Sequence, residues 1–256
     1  MKDQYACDIG DFGKYGLLRT LCANGTPRLG MAWWMTPDDK SSNDGKFTRY
    51  LEDRKPRLRD CDPELFDKLV EIVASGNRSV AAVCQAGVLP ADAIHHLDVL
   101  HFEPRLQRPE RQAVRDQWIA AASRKLKDAE LIFADPDNCL SDTAKPFVKN
   151  GPKYTLPSEA AKLAATDKSI VIYHHISRNG NAPMQLERAA DLLQEATGRG
   201  QRPWTLWYHR GTARGFLISP ADRHRTLLRS RLDAFLQGGW GKHGHFEEVV
   251  PDQSPG

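Results

Sequence analysis

The sequence predicts an α/β fold, a Rossmann-like doubly wound and mostly parallel sheet that ends in an antiparallel hairpin. Three observations predict it. Short apolar runs alternate with amphipathic stretches along most of the chain, as parallel strands joined by crossover helices require. Two of those runs, LIFA at 131–134 and SIVIY at 169–173, lack polar alternation, which fits strands covered on both faces. The last two runs, Trp204 to Tyr208 and Arg214 to Ile218, are joined by a short turn containing Arg-Gly, which is too short for a crossover and fits a hairpin.

Each element follows from local pattern. Asp11 to Cys22 sets Phe12, Tyr15, Leu18 and Cys22 at helical spacing, and Asn24-Gly25 supplies the stop. Leu29 to Met35 is a continuous apolar run bounded by Gly30 and Pro37, and it reads as a buried strand. Asp62-Pro63-Glu64 is a helix start with a capping Asp and Pro at the first helical position, and Gly76 closes that helix. Ser79 to Val83 and Leu97 to Phe102 read as short strands, with a long amphipathic helix from Pro109 to Lys127 after them. Strand 130–134, helix 158–165, strand 169–173 and helix 184–196 continue the alternation, and a final helix runs from about Ala221 to Phe235.

At 256 residues the chain fits one α/β catalytic domain over 1–250, with 251–256 as a disordered tail. Its 40% hydrophobic and 27% charged residues are ordinary for a globular protein and argue against disorder. No run approaches the roughly 18 apolar residues of a membrane span, and the first ten residues lack the apolar core of a signal peptide, so a cytoplasmic protein is expected. Cys7, Cys22, Cys61, Cys84 and Cys139 are odd in number, scattered, and never in a CxxC pair, the pattern of reduced thiols. The formal charge of +3 permits a polyanionic partner. Arg54, Lys55, Arg57 and Arg59 form one basic run, and Arg210, Arg214, Arg223, Arg225, Arg229 and Arg231 make the last third positive.

Three segments could carry chemistry. Asp135-Pro136-Asp137-Asn138 directly follows LIFA, so two carboxylates and an amide stand at a strand's carboxyl end, where such sheets bind ligands. Carboxylates there activate water, bind a metal or hold a flipped base, although the same residues also suit an Asx-type turn. Tyr173-His174-His175-Ile176-Ser177-Arg178 ends another strand. Its two histidines point to opposite faces, so at most one faces a site, and Ser177 and Arg178 add donors. The third segment runs from Asp8 to Gly16. Gly10 and Gly13 permit close backbone approach before a helix, and Asp11 reads equally as N-cap or ligand contact. Lesser candidates are Asn43-Asp44-Gly45-Lys46 and the hairpin group His209, Arg210 and Arg214. Trp33 and Trp34 read as core.

The chain has no GxxxxGK[ST], no GxSxG, no HExxH and no GxG after the first strand, which argues against common NTPases, serine hydrolases and zincins. The opening segment, the Asp-Pro strand end and the closing hairpin together resemble the layout of bacterial ribosomal-RNA adenine-N6 methyltransferases. Those start with a Gly-Asn-Phe-x-Asp-type segment and carry Asp-Pro-Pro-Tyr after a central strand. This chain has Asp137-Asn138 in place of Pro-Tyr, and no Gly-rich loop follows LGMAWWM to hold S-adenosylmethionine. DIGDFGKYGLLR, ADPDN and YHHISR also resemble a bacterial family linked to anti-phage DNA glycosylases. The Asp-Pro turn and late His-x-Ser loop are similar to the uracil-DNA glycosylase plan, with the Asp-Pro turn here in mid-chain.

This resemblance implies a nucleic-acid hydrolase, specifically a DNA glycosylase that flips and excises a modified base in antiviral defence. DNA, including modified phage DNA, would be the partner, and neither cofactor nor resident metal is expected. Asp135 or Asp8 would stabilise the oxocarbenium-like sugar, and His174 would serve the departing base. Asp11, Lys14, Asp137 and Asn138 would contact the substrate, Phe12 and Tyr15 would stack on the base, and Arg178, Arg210 and Arg214 would hold phosphates. The alternatives are an S-adenosylmethionine-dependent methyltransferase, a Mg²⁺ nuclease built on Asp8, Asp135 and Asp137, and a binding module without catalysis.

Overall fold

A computed structural model describes residues 1–38, 45, 47–52, 56–165, 167–177 and 179–250. Asn43, Asp44 and Lys46 of the early loop, Arg54 and Lys55 of the basic run, Arg178 and the tail 251–256 lie outside the described residues.

Seven strands form one sheet: β1 (Leu29–Ala32), β2 (Ile94–His96), β3 (Leu131–Ala134), β4 (Ser169–His175), β5 (Trp204–Tyr208), β6 (Arg214–Ser219) and β7 (Phe246–Val249). Their order is β2-β1-β3-β4-β6-β5-β7. The first four are parallel, β6 runs antiparallel to both β4 and β5, and β7 runs antiparallel to β5. The expected mostly parallel sheet with its closing hairpin is therefore present, extended by an edge strand.

The helices are α1 (Ile9–Leu21), α2 (Pro56–Arg59), α3 (Pro63–Ala74), α4 (Val80–Gln85), α5 (Arg108–Lys125), α6 (Pro157–Leu163), α7 (Ala182–Thr197), α8 (Asp222–Gln237) and α9 (Gly239–Lys242). They cover both faces of the sheet. Met31, Phe133, Val171, Tyr173 and Phe216 join residues of α1, α3 and α8 in one apolar cluster. Ala32, Ile132, Ile170, Ile172 and Leu217 join residues of α5, α6 and α7 in the other. Successive strand residues thus alternate between two cores, as the two-residue period of a strand dictates.

Two expected strands are corrected. Ser79 to Val83 is the start of helix α4: the Ser79 side chain accepts from the Ala82 backbone N–H at 3.1 Å, and that cap turns a short apolar run into a helical one. The strand beside β1 is Ile94–His96, ahead of the expected Leu97 to Phe102, where an isolated bridge from Val99 to Met35 is the strand-like pairing found. His95 and His96 break the apolar pattern that would have marked β2, and Phe246–Val249 was hidden by its two glutamates. Among the described residues no helix is long and apolar enough to cross a membrane.

Candidate active site

The carboxyl ends of β3 and β4, the amino end of the reversed strand β6 and the first turns of α1 surround a cavity of about 680 Å³, the size of a small-ligand site. Asp8, Asp11, Lys14, Asp135, Asp137, Asn138, Tyr173, His175 and Arg214 all contribute to its lining. This is the sheet edge at which ligands of open α/β sheets bind.

Helix α1 is fixed at its start by two reciprocal caps. Asp8 is the N-cap residue, its Oδ1 accepting from the Asp11 backbone N–H at 2.9 Å, while Asp11 Oδ2 accepts from the Cys7 backbone N–H at 3.0 Å. Asp11 therefore stands in the first turn, and its capping contact is with the residue before the N-cap. The Tyr15 hydroxyl also donates to Asp11 Oδ2, at 2.8 Å. Gly10 and Gly13 meet side chains of the sheet, and Gly16 meets helix α9. A Cβ at Gly10 would lie 2.1 Å from Arg214, one at Gly13 2.6 Å from the Tyr208 ring, and one at Gly16 2.2 Å from Trp240. The glycines let α1 lie close on its neighbours, and their contact is with protein side chains.

Three ion-paired groups contribute to the charged lining. Lys14 Nζ lies 2.7 Å from Asp11 Oδ1 and 2.8 Å from Asp135 Oδ2, with all three side chains at most 5% exposed. Arg214 Nη2 donates to Asp8 Oδ2 at 2.8 Å. Burial raises the pKa of Asp135 and of Asp8, with Lys14 and Arg214 respectively pulling each back. Burial opposes the charge on Lys14, but Asp11 and Asp135 outweigh it and its pKa rises. The four carboxylates of the lining, Asp8, Asp11, Asp135 and Asp137, are matched by the four cations Lys14, Lys145, Lys153 and Arg214, so the lining offers both donors and acceptors to a polar ligand. Asp137, partly buried, has Lys153 Nζ at 3.0 Å from its Oδ2.

The expected residues divide cleanly by placement. Asp8, Asp11, Lys14, Asp135, Asp137, Asn138 and Arg214 line the cavity. Phe12 and Tyr15 do not, both being fully buried: Phe12 packs 4.8 Å from Trp240 and 5.6 Å from Tyr50, ring to ring. Arg214 is held in its buried pair with Asp8, and Arg210 donates to His245 Nδ1 at 2.6 Å, away from the cavity lining. His174 is buried on the face of β4 shared with Ile170 and Ile172, and it does not line the cavity. Burial lowers its pKa to about 4.

His175 lines the cavity instead, with its Nδ1 3.4 Å from the Tyr173 hydroxyl. The two-residue period pairs Tyr173 with His175 on one face, so the sequence held the signal that one histidine is favoured over the other. It did not show which face the cavity would occupy. Lys145, Lys153 and Tyr154 also reach the cavity from the irregular segment between β3 and α6. That segment is tied down by Arg115, fully buried on α5. Arg115 pairs with Glu159 at 2.6 Å and donates to the carbonyls of Pro146, Gly151 and Tyr154. No composition rule announces that a helix arginine will organise a distant loop.

Among the described residues no group of three or more His, Cys, Asp or Glu is arranged to hold a metal ion. Asp8, Asp135 and Asp137, the expected nuclease ligands, each face a cation of the protein instead. The carboxyl end of β1, where the methyltransferase layout would need its cofactor loop, is filled by the fully buried Trp34 and by Met1, whose nitrogen donates to the Trp34 carbonyl at 2.8 Å. These residues do not fit S-adenosylmethionine. No family model matches the chain, and no curated protein matches it.

Proposed function

We propose that the protein is a base-directed hydrolase of nucleic acid, a DNA glycosylase that cleaves the N-glycosidic bond of a flipped nucleotide. The observation that carries this reading is the carboxylate of Asp135. It stands at the carboxyl end of an interior strand, lines a cavity large enough for a nucleoside, and is held by Lys14 at 2.8 Å. A carboxylate fixed in this way stabilises positive charge developing on a sugar at little reorganisation cost.

In the proposed reaction the C1′–N bond breaks and its electron pair leaves with the base, which takes a proton from His175. Water adds its oxygen to C1′ and gives a proton to Asp135. The products are a free base and an abasic sugar, with one water consumed. Asn138 reads the hydrogen-bonding edge of the base. Asp8 and Asp135 are both ion-paired; Asp8 is also the N-cap of α1, its Oδ1 accepting from the Asp11 N–H, so the role is assigned to Asp135.

The position of Asp135–Asn138 directly after β3, the strand beside β1, favours methyl transfer as a second reading, because it matches the layout of the adenine-N6 methyltransferases. The filled end of β1 weighs against it. Incubating the protein with modified and unmodified DNA, single- and double-stranded, separates the two by mass spectrometry. Free base with alkali-labile abasic sites, in the presence of a chelator and without added S-adenosylmethionine, is the expected result. A methylated product formed only with S-adenosylmethionine would replace the glycosylase reading by the second one.

A further inference from the structure

We propose that Phe47 is the stacking platform of the cavity, against which the planar face of a heterocyclic base lies. This rests on the base-directed reading above. Phe47 is 53% exposed, the one exposed aromatic side chain among the described residues; the other Phe, Tyr and Trp rings are buried or partly buried. A single exposed apolar residue needs no explanation in itself. Its place is what distinguishes this one, since Phe47 lines the same cavity as Asp135.

The ring is also carried on anchored backbone. The Phe47 carbonyl accepts from the Ile9 backbone N–H at 3.0 Å, which ties it to the first residue of α1, next to Asp8. The charged lining and the apolar platform are thus set by the same helix start. Tyr5 and Tyr154, both partly buried, and the buried Tyr173 contribute further rings to the lining. A polar lining can satisfy the edge of a base, but its two faces are apolar and π-rich, and an aromatic ring serves them irrespective of base identity. Phe12 and Tyr15, expected to stack, are enclosed in the core, so the role falls to a residue that sequence pattern did not mark.

Phe47→Ala, Phe47→Leu and Phe47→Trp are compared with the wild type for binding and base release on a single-stranded oligonucleotide. Stacking predicts that Ala and Leu both weaken binding, by about tenfold to a hundredfold, because neither has a π face, and that Trp retains it. Phe47→Trp should in addition show fluorescence quenching on titration, beyond that of the wild type. Phe47→Leu binding like the wild type would overturn the proposal while leaving base release, and so the glycosylase reading, intact. If the wild type neither binds nor cleaves any oligonucleotide, the glycosylase reading fails. Titrating Phe47→Trp with free nucleosides then decides the platform separately: quenching supports it, and no change overturns it.

Discussion

At the scale of single residues, the two histidines of β4 show how much one position matters. His174 and His175 are adjacent, yet one is buried against the α7 side of the sheet and the other lines the cavity. His175→Gln should therefore slow base release, whereas His174→Gln should leave it near the wild-type rate, measured on the same oligonucleotide under single-turnover conditions. His174 has a different signature, in stability. Its folded pKa, about 4, lies below the ordinary histidine value, so the unfolded chain binds more protons between about pH 6.5 and 4. Its contribution is intact above that window and is lost as pH falls through it, by an order of about 3 kcal/mol. Burial shifts Asp8 and Asp135 upward, which acts in the opposite sense, so the comparison must be with a variant. Denaturant titrations from pH 7 to 4.5 should show the wild type losing more stability than His174→Gln, and equal losses would remove His174 as the source. The sequence told that only one histidine could face a site; choosing between them required knowing which helices lay on which face.

At the scale of elements, the alternation of strands and helices was legible because apolar periodicity and caps reinforce each other, as at Asp62, which accepts from the Leu65 N–H at 3.0 Å. Legibility failed where local chemistry and tertiary pairing diverged. The run at 79–83 has apolar residues that suit a strand, but Ser79 caps it as a helix, and β2 is made of a histidine pair that no strand rule selects. The Asp135–Asn138 site position was readable because a strand end is itself a structural address. The segment from 145 to 154 was not, because it is held from outside by Arg115. Arg115→Met should cost about 3–5 kcal/mol, since it strands Glu159 as a buried unpaired charge and leaves three carbonyls without their donor. Equilibrium denaturation measures this directly. A loss under about 1 kcal/mol would mean that the segment is held by other contacts.

At the scale of the whole molecule, the positive charge of the C-terminal third proves to be largely committed internally. Arg214 is closed onto Asp8, Arg229 onto Asp233 and Glu248, and Arg231 onto backbone carbonyls near the end of α1. The lysines beside the cavity are better placed for a phosphate backbone: Lys145 is exposed on its lining, and Lys149 is exposed on the same segment. Replacing both by Ala should lower the salt dependence of single-strand binding by a slope of about 0.7 for each phosphate that is no longer neutralised, whereas Arg210→Ala should change it little. The reverse ranking would return the nucleic-acid surface to the hairpin. The proposed reaction centres on the carboxylate of Asp135, which pairs with Lys14 and lines the cavity. The measurement that tests it most directly is the single-turnover rate of base release by Asp135→Asn, with binding followed in parallel. The charge is removed and the shape kept, so the rate should fall by about two to four orders of magnitude while affinity persists. Base release at the wild-type rate by a folded Asp135→Asn protein would contradict the account.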